Sequence, residues 1–122
     1  MLSRHLLYFT LLFASPLRSA DWPWWRGPTN DGVASADSAP PLDFSEDTMV
    51  KWSVPIPGRG HGSACVAGDK VYLATADEGK QIQAMHGFDR ATGKRLWTTI
   101  IHENGLTQKL NKKATWASAT PA

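Results

Sequence analysis

The side chains in this sequence that could do chemistry do not combine into a catalytic or metal-binding pattern. The candidates are three separate histidines, one acidic pair and one cysteine: His61, His86, His102, Asp77-Glu78 and Cys65. None of the histidines has a partner at the spacing typical of metal sites. The acidic pair could bind calcium or act in acid–base catalysis, but the adjacent Lys80 favours a solvated turn. The sequence therefore assigns no catalytic, cofactor-binding or metal-ligating residue.

Two of these candidates leave alternatives open. His61 stands between two glycines, where an exposed imidazole could titrate near neutral pH as a ligand, although a histidine that shapes a loop is the better interpretation. Cys65 is the only cysteine, so no intrachain disulfide can form, and its apolar surroundings favour a small buried hydrophobe over a reactive thiol. The glycine-rich run 58–62 precedes no helix, so it does not match a phosphate-binding loop.

The most specific pattern in the chain is a turn motif in residues 88–97, which read FDRATGKRLW. Asp89 can accept hydrogen bonds from the backbone N–H groups of such a turn, and Thr92 can cap it in the same way. Gly93 suits a backbone conformation that side chains resist. Trp97 then falls on the outgoing strand, where its ring can wedge between packed layers. We interpret these four residues as a structural motif.

The elements that must position this motif are short β-strands. We predict strands at 63–67, 70–76, 81–89 and 94–101, and a further short strand at 51–54. Gly68-Asp69 is predicted as a two-residue hairpin turn, and residues 58–62 as a flexible turn. In the strand 70–76, Val71 and Leu73 should share one face. Four antiparallel strands in about fifty residues are the layout of one β-propeller blade, so the predicted fold class is all-β.

The chain contains a weak internal repeat. Trp52 and Trp97 occupy similar positions in the two repeats. Residues 117–122 resemble residues 62–67 in their run of small side chains. A period near fifty residues indicates a propeller or an array, because one blade cannot cover its own faces. We predict a first blade at 51–101, and then a linker and the truncated start of a second blade at 102–122. The downstream blades are expected to be missing from the sequence.

Residues 1–20 are predicted to be a secretory signal peptide. Arg4 begins a short basic region, an apolar stretch covers residues 6–14, and Ser19-Ala20 offer small residues before a cut. Arg18 does not suit that site, so cleavage near Ser15 is an alternative, and an uncleaved anchor is a second one. Cleavage would make the protein periplasmic or secreted. The apolar stretch is too short to span a bilayer, and no transmembrane span is expected in the mature chain.

Residues 21–50 form a lead-in rich in Trp and Pro, followed by a polar loop. Neither a helix nor a central strand tolerates that mixture, so we expect an extended segment that docks on the fold. The Trp cluster at 22–25 could line a ligand groove, although packing against the fold is the better interpretation. Without residues 1–20, the eleven basic residues balance the eleven acidic ones, and no nucleic-acid partner is expected.

The motif in residues 88–97 resembles the tryptophan-docking motif of pyrroloquinoline-quinone (PQQ)-type propeller repeats, which ends each blade with Asp, then Thr-Gly, then Trp. The lead-in WPWWRGP at 22–28, followed by Asn30-Asp31-Gly32, resembles the start of exported bacterial PQQ-like repeat proteins. The resemblance covers the chain from Asp21 onward. It implies a propeller of four-stranded blades and a scaffold or binding role similar to that of BamB, with rims that offer loops and edges to protein partners.

An alternative within the same family is a fragment of a PQQ-dependent quinoprotein dehydrogenase that oxidises alcohols or sugars. Such enzymes use a carboxylate base, a calcium ion held by carboxylates and amides, a quinone stacked on Trp and, in many cases, an adjacent Cys pair. This chain has one cysteine and cannot supply that pair. We therefore expect no cofactor in this chain, and PQQ and calcium only if the full-length protein is such an enzyme.

Overall fold

The structure is a computed structural model that describes residues 20–38, 41–108 and 110–122. Most of the predicted signal peptide lies outside the described residues. The described chain is all-β, as predicted: it forms one antiparallel sheet in the order β1-β2-β3-β4. The strands are β1 (Cys65–Ala67), β2 (Lys70–Asp77), β3 (Ile82–Asp89) and β4 (Arg95–Glu103). The helical content is a 3-10 turn at Ala36–Ser38 and one α-helical turn, α1, at Glu46–Met49.

The short α1 begins inside a stretch that the sequence predicts as loop. Ser45 occupies the N-cap position in an extended conformation, and acidic Glu46 and Asp47 fill the first turn. Negative charge at that end of a helix interacts favourably with its dipole, which favours this single turn. No helix among the described residues has the length and apolar character needed to cross a membrane.

The predicted hairpin at Gly68-Asp69 is confirmed, because Ala67 pairs directly with Lys70 across it. Side chains alternate between two faces along each strand. The histidine face carries Leu73, Thr75, Ala84, His86, Phe88 and Thr98, and the tryptophan face carries Tyr72, Ala74, Met85, Gly87 and Trp97. The register between β3 and β4 shifts twice, between Gln83 and Ala84 and between Gly87 and Phe88. The two shifts leave Ile101 and Leu96 without a partner in β3.

The predicted strand at 51–54 is wrong. This stretch joins no ladder of the sheet. Trp52, Val54 and Ile56 are half-buried while their neighbours are exposed, and Pro57 lines a small cavity with His86 on the histidine face. Prolines cannot donate to a ladder, so the segment packs through alternate side chains instead of backbone hydrogen bonds.

The run 58–62, predicted to be a flexible turn, is held on both sides. The backbones of Arg59 and Ala76 exchange two hydrogen bonds of 2.9 Å, which continues the edge of β2 beyond β1. The N–H groups of His61 and Gly62 both donate to the carbonyl oxygen of Ala117, at 3.0 and 3.1 Å. A Cβ at Gly60 would lie 2.8 Å from that oxygen. The glycines therefore permit a close backbone approach.

The ends of the described chain cover the outer edge of β1. Trp22 and Val66 exchange backbone hydrogen bonds of 2.9 and 2.8 Å, so the lead-in adds one pair to the sheet. Residues 117–121, predicted as the start of a second blade, lie beside residues 61–65. There the N–H of Ser63 donates to Thr120 Oγ1 at 2.9 Å, and Cys65 Sγ donates to the carbonyl oxygen of Pro121 at 2.6 Å. The two similar segments of the weak internal repeat therefore lie side by side in the structure.

Candidate functional site

The turn between β3 and β4 is closed by the side chains that the sequence singles out. The N–H and the hydroxyl of Thr92 both donate to Asp89 Oδ1, at 2.8 and 2.7 Å. The N–H of Lys94 donates to Thr92 Oγ1 at 3.2 Å, and that of Gly93 to the carbonyl oxygen of Asp89 at 2.8 Å. The Thr92 hydroxyl is the largest cause that lowers the pKa of Asp89, followed by the Thr92 N–H. The turn thus stabilises an ionised Asp89.

Gly93 is the turn residue against which the ring of Trp52 packs. Its φ of 71° is in the left-handed region, which favours glycine, and a Cβ there would lie 2.5 Å from Trp52 Cδ2. Trp52 Nε1 also donates to the carbonyl oxygen of Arg90 at 2.9 Å. Sequence reasoning placed Trp52 on a strand and missed this contact. The available signal was the matching position of Trp52 and Trp97 in the internal repeat.

Arg90, at the second position of the turn, connects three parts of the chain and was also missed. Its guanidinium donates to the carbonyl oxygens of Gly68 at 3.0 Å and Ala20 at 3.1 Å, and it lies 3.4 Å from the Asp21 carboxylate. Asp21 in turn accepts a hydrogen bond of 3.0 Å from the N–H of Gly68. These contacts fasten the start of the lead-in to both the first hairpin and the motif turn.

The fourth motif residue, Trp97, lies apart from this turn on the tryptophan face. Its indole covers the Cα of Gly87 so closely that a Cβ on that glycine would overlap the ring. The ring centroid is 6.0 Å from that of Tyr72, at an interplanar angle of 42°. The structure therefore brings Asp89, Thr92 and Gly93 together, and it places Trp97 on a different glycine, in the adjacent strand.

A buried polar chain crosses the histidine face. His86 is 1% exposed. Its Nε2 lies 2.8 Å from Thr75 Oγ1 and its Nδ1 lies 2.9 Å from Thr98 Oγ1, so one imidazole bridges β2, β3 and β4. Burial, and secondarily the charge of Arg95, lowers the pKa of His86. A neutral imidazole can donate from one nitrogen and accept at the other, which satisfies both threonines.

An open apolar cleft of about 370 Å³ lies at the edge of the tryptophan face. Its walls include Trp24, Cys65, Tyr72 and Met85, together with the chain end at Pro121. Trp24 is 39% exposed, and Cys65 is buried. Burial raises the pKa of the Cys65 thiol, and its sulfur donates a hydrogen bond to the carbonyl oxygen of Pro121.

The remaining sequence candidates lie on the surface as separate groups. His61 and His102 are exposed. Asp77 accepts a hydrogen bond from the N–H of Lys80 at 3.1 Å, which is the largest cause that lowers its pKa, and Glu78 lies 3.5 Å from the Arg59 guanidinium. Within the described ranges, no three His, Cys, Asp or Glu side chains are placed to hold a metal ion.

The geometry thus offers a fixed turn, two sheet faces and one open sheet edge. Comparisons of this chain with protein-family models, with curated proteins and with solved structures find no match.

Proposed function

We propose that this chain is an exported repeat unit of a PQQ-like β-propeller, with a scaffold or binding role outside the cytoplasm. The observation that carries the proposal is the packing of Trp52 against Gly93, together with its hydrogen bond to the carbonyl oxygen of Arg90. Trp52 belongs to a segment that reaches the histidine face, whereas Trp97 lies on the opposite face. Aromatic rings that lie on both sides of one sheet support the proposal, because repeat units that stack in a series have packing surfaces on both sides.

The side chains favour binding over chemistry. His86 is satisfied by its two threonines, Cys65 donates to the carbonyl oxygen of Pro121, and the exposed His61 and His102 lie apart from each other. By contrast, the sheet offers a nine-residue outer strand, β4, in which every residue except Trp97 is exposed. Exposed strands and the loops between them are surfaces to which other proteins attach.

The proposal transfers no residue from the calcium and quinone site of PQQ-dependent dehydrogenases to this chain. The single cysteine is buried and cannot form an adjacent pair. In the described part of the chain, no three His, Cys, Asp or Glu side chains come together at one place. The proposal therefore uses the surfaces of this chain for binding and places no cofactor-dependent step on its residues. The test is to express the protein from the full reading frame, add PQQ and calcium, and assay dye-linked alcohol oxidation. Turnover in this assay would contradict this part of the proposal.

The binding role is tested by photo-crosslinking in cells that express the full chain from Met1. Benzoylphenylalanine is placed at Ile101 on the outer strand and, as a control, at Leu42, which is 99% exposed but lies outside the sheet. We expect discrete protein adducts from position 101, in the exported fraction, and none above background from position 42. Retention of the chain in the cytoplasm, or equal adduct patterns from the two positions, would contradict the proposal.

A further inference from the structure

We propose that β4 pairs edge to edge with β4 of a second copy of this chain, antiparallel and around a two-fold axis at Thr99. This inference deepens the scaffold role by naming the partner of the outer strand, and it rests on that proposal in treating the edge as a binding surface.

The two edges of the sheet differ. The β1 edge is covered, because Trp22 exchanges two backbone hydrogen bonds with Val66 and residues 117–121 lie beside residues 61–65. In the described ranges, the backbone of β4 hydrogen-bonds to β3 and to no other segment. A strand edge of nine residues with unused N–H and C=O groups is a template for another strand.

The composition of β4 favours such pairing. Leu96, Ile100 and Ile101 are 46%, 47% and 59% exposed. The strand contains neither Lys nor Pro, the residues that commonly protect an edge from association. Its two irregular positions, Leu96 and Ile101, flank the regular stretch 97–100. The centre of the strand is therefore free to add a ladder.

Charge complementarity selects the second copy and its register. With the axis at Thr99, Arg95 of each copy lies opposite Glu103 of the other, so one interface contains two opposite-charge pairs. Arg95 and Glu103 share the histidine face, because they pair with Phe88 and Ile82 on β3. An axis at Thr98 or Ile100, the neighbouring positions, would place Arg95 opposite Ile101 or Gly105 instead. Opposite charges directly across an antiparallel pair stabilise it.

The test uses charge reversal at these two positions in the full chain, expressed from Met1, with association measured by sedimentation equilibrium. We expect the unmodified chain to dimerise. Arg95→Glu alone and Glu103→Arg alone should each weaken the dimer about tenfold, because each places like charges together at both ends of the strand pair. A mixture of the two variants should regain the original affinity, because both cross-strand pairs are then attractive again.

The control is Lys112→Glu, which makes the same change of charge at an exposed lysine outside β4 and should leave the affinity unchanged. A monomer at all concentrations, a dimer that neither reversal weakens, or a mixture that fails to recover would each overturn the inference. Circular dichroism identifies a variant that fails to fold, and the double variant Arg95→Glu/Glu103→Arg then provides the same test within one chain, since it should dimerise like the original.

The photo-crosslinking experiment separates this inference from the proposed function. Adducts of twice the chain mass at position 101 support the self-pairing. Adducts to a different protein, from a chain that is monomeric in solution, overturn the self-pairing and leave the scaffold role standing. Complete absence of adducts at position 101 contradicts both.

Discussion

The indole nitrogen of Trp52 donates a hydrogen bond to the carbonyl oxygen of Arg90 at 2.9 Å, across thirty-eight residues of sequence. The same ring packs against Gly93, three residues further on. The segment before the sheet is thereby attached to the turn that joins its last two strands. The turn therefore provides a packing site for the Trp52 ring. A side chain larger than glycine at position 93 would clash with that ring.

Gly93→Ala should destabilise the fold more than Gly68→Ala. Both glycines have a left-handed backbone, which costs an alanine about 1–2 kcal/mol. At position 93 the added methyl group also meets Trp52, which we expect to cost about a further 1–3 kcal/mol. At position 68 nothing lies within 4 Å of the new Cβ. Urea unfolding of the two variants gives the comparison, and equal losses would show that Trp52 does not pack on Gly93.

Trp52→Phe removes the hydrogen bond to Arg90 together with part of the ring that packs against Gly93. A phenylalanine keeps an aromatic ring against Gly93 but has no N–H, so the carbonyl oxygen of Arg90 loses its donor. We expect a loss of about 0.5–1.5 kcal/mol in the free energy of unfolding. Trp25→Phe is the matched control, because Trp25 is 61% exposed, and it should be nearly neutral. Equal effects of the two changes would argue against the bond.

Gly87→Ala and Trp97→Leu should be strongly coupled. A methyl group at position 87 overlaps the indole of Trp97, so the alanine alone should cost about 1–3 kcal/mol of stability. With leucine at position 97 the overlap is relieved, and the double variant should lose less than the sum of the two single ones. Gly79→Ala, whose Cβ would meet only the Asp77 carboxylate at 3.4 Å, is the control without this coupling. Simple additivity would contradict the contact.

Acid should destabilise the fold through His86. Because burial lowers the pKa of His86 in the folded state, the unfolded chain binds more protons in this range. The contribution is complete above the ordinary pKa of 6.5 and is lost as the pH falls through the lowered folded value. Unfolding free energies measured from pH 7.5 to 5 should decrease. The decrease should diminish in His86→Gln but persist in His102→Gln, since His102 is exposed. An unchanged pH dependence in His86→Gln would refute the assignment.

Thr92→Val should raise the pKa of Asp89. The Thr92 hydroxyl is the largest cause of the lowered value, and valine has a similar shape without a donor. Carboxyl carbon NMR titration measures the change. Thr29→Val is the matched control, because the Thr29 hydroxyl donates to Asp31 in the same way and its loss should raise the pKa of Asp31 alone. Since the Asp89 pKa is lowered, the stability that it contributes is present above its ordinary value of 3.8 and lost as the pH falls through the folded value.

Local patterns predicted the sheet, and tertiary contacts decided the rest. Gly68-Asp69 determines a tight hairpin within four residues, so β1 and β2 were recognisable from the sequence. The role of Trp52 depends on a turn thirty-eight residues away, which no local pattern contains. The glycines in 58–62 were predicted to form a flexible turn. Glycine occurs both in loose turns and where two backbones approach closely, so the residue type alone does not distinguish the two cases. The bridge at His86 depends on the register of three strands, which the sequence does not specify.

The contact of residues 61–65 with residues 117–121 has a consequence for the order of folding. The strands of the sheet are joined by short turns, whereas Cys65 and Pro121 are fifty-six residues apart. Closing a long loop costs more chain entropy than closing a hairpin, so this seam should form after the strands have paired. The edge of β1 should therefore stay uncovered until this seam closes, after the hairpins have formed. Refolding chains should therefore expose a second unpaired edge, at β1, in addition to that of β4, and mispairing there should fall as the protein concentration is lowered.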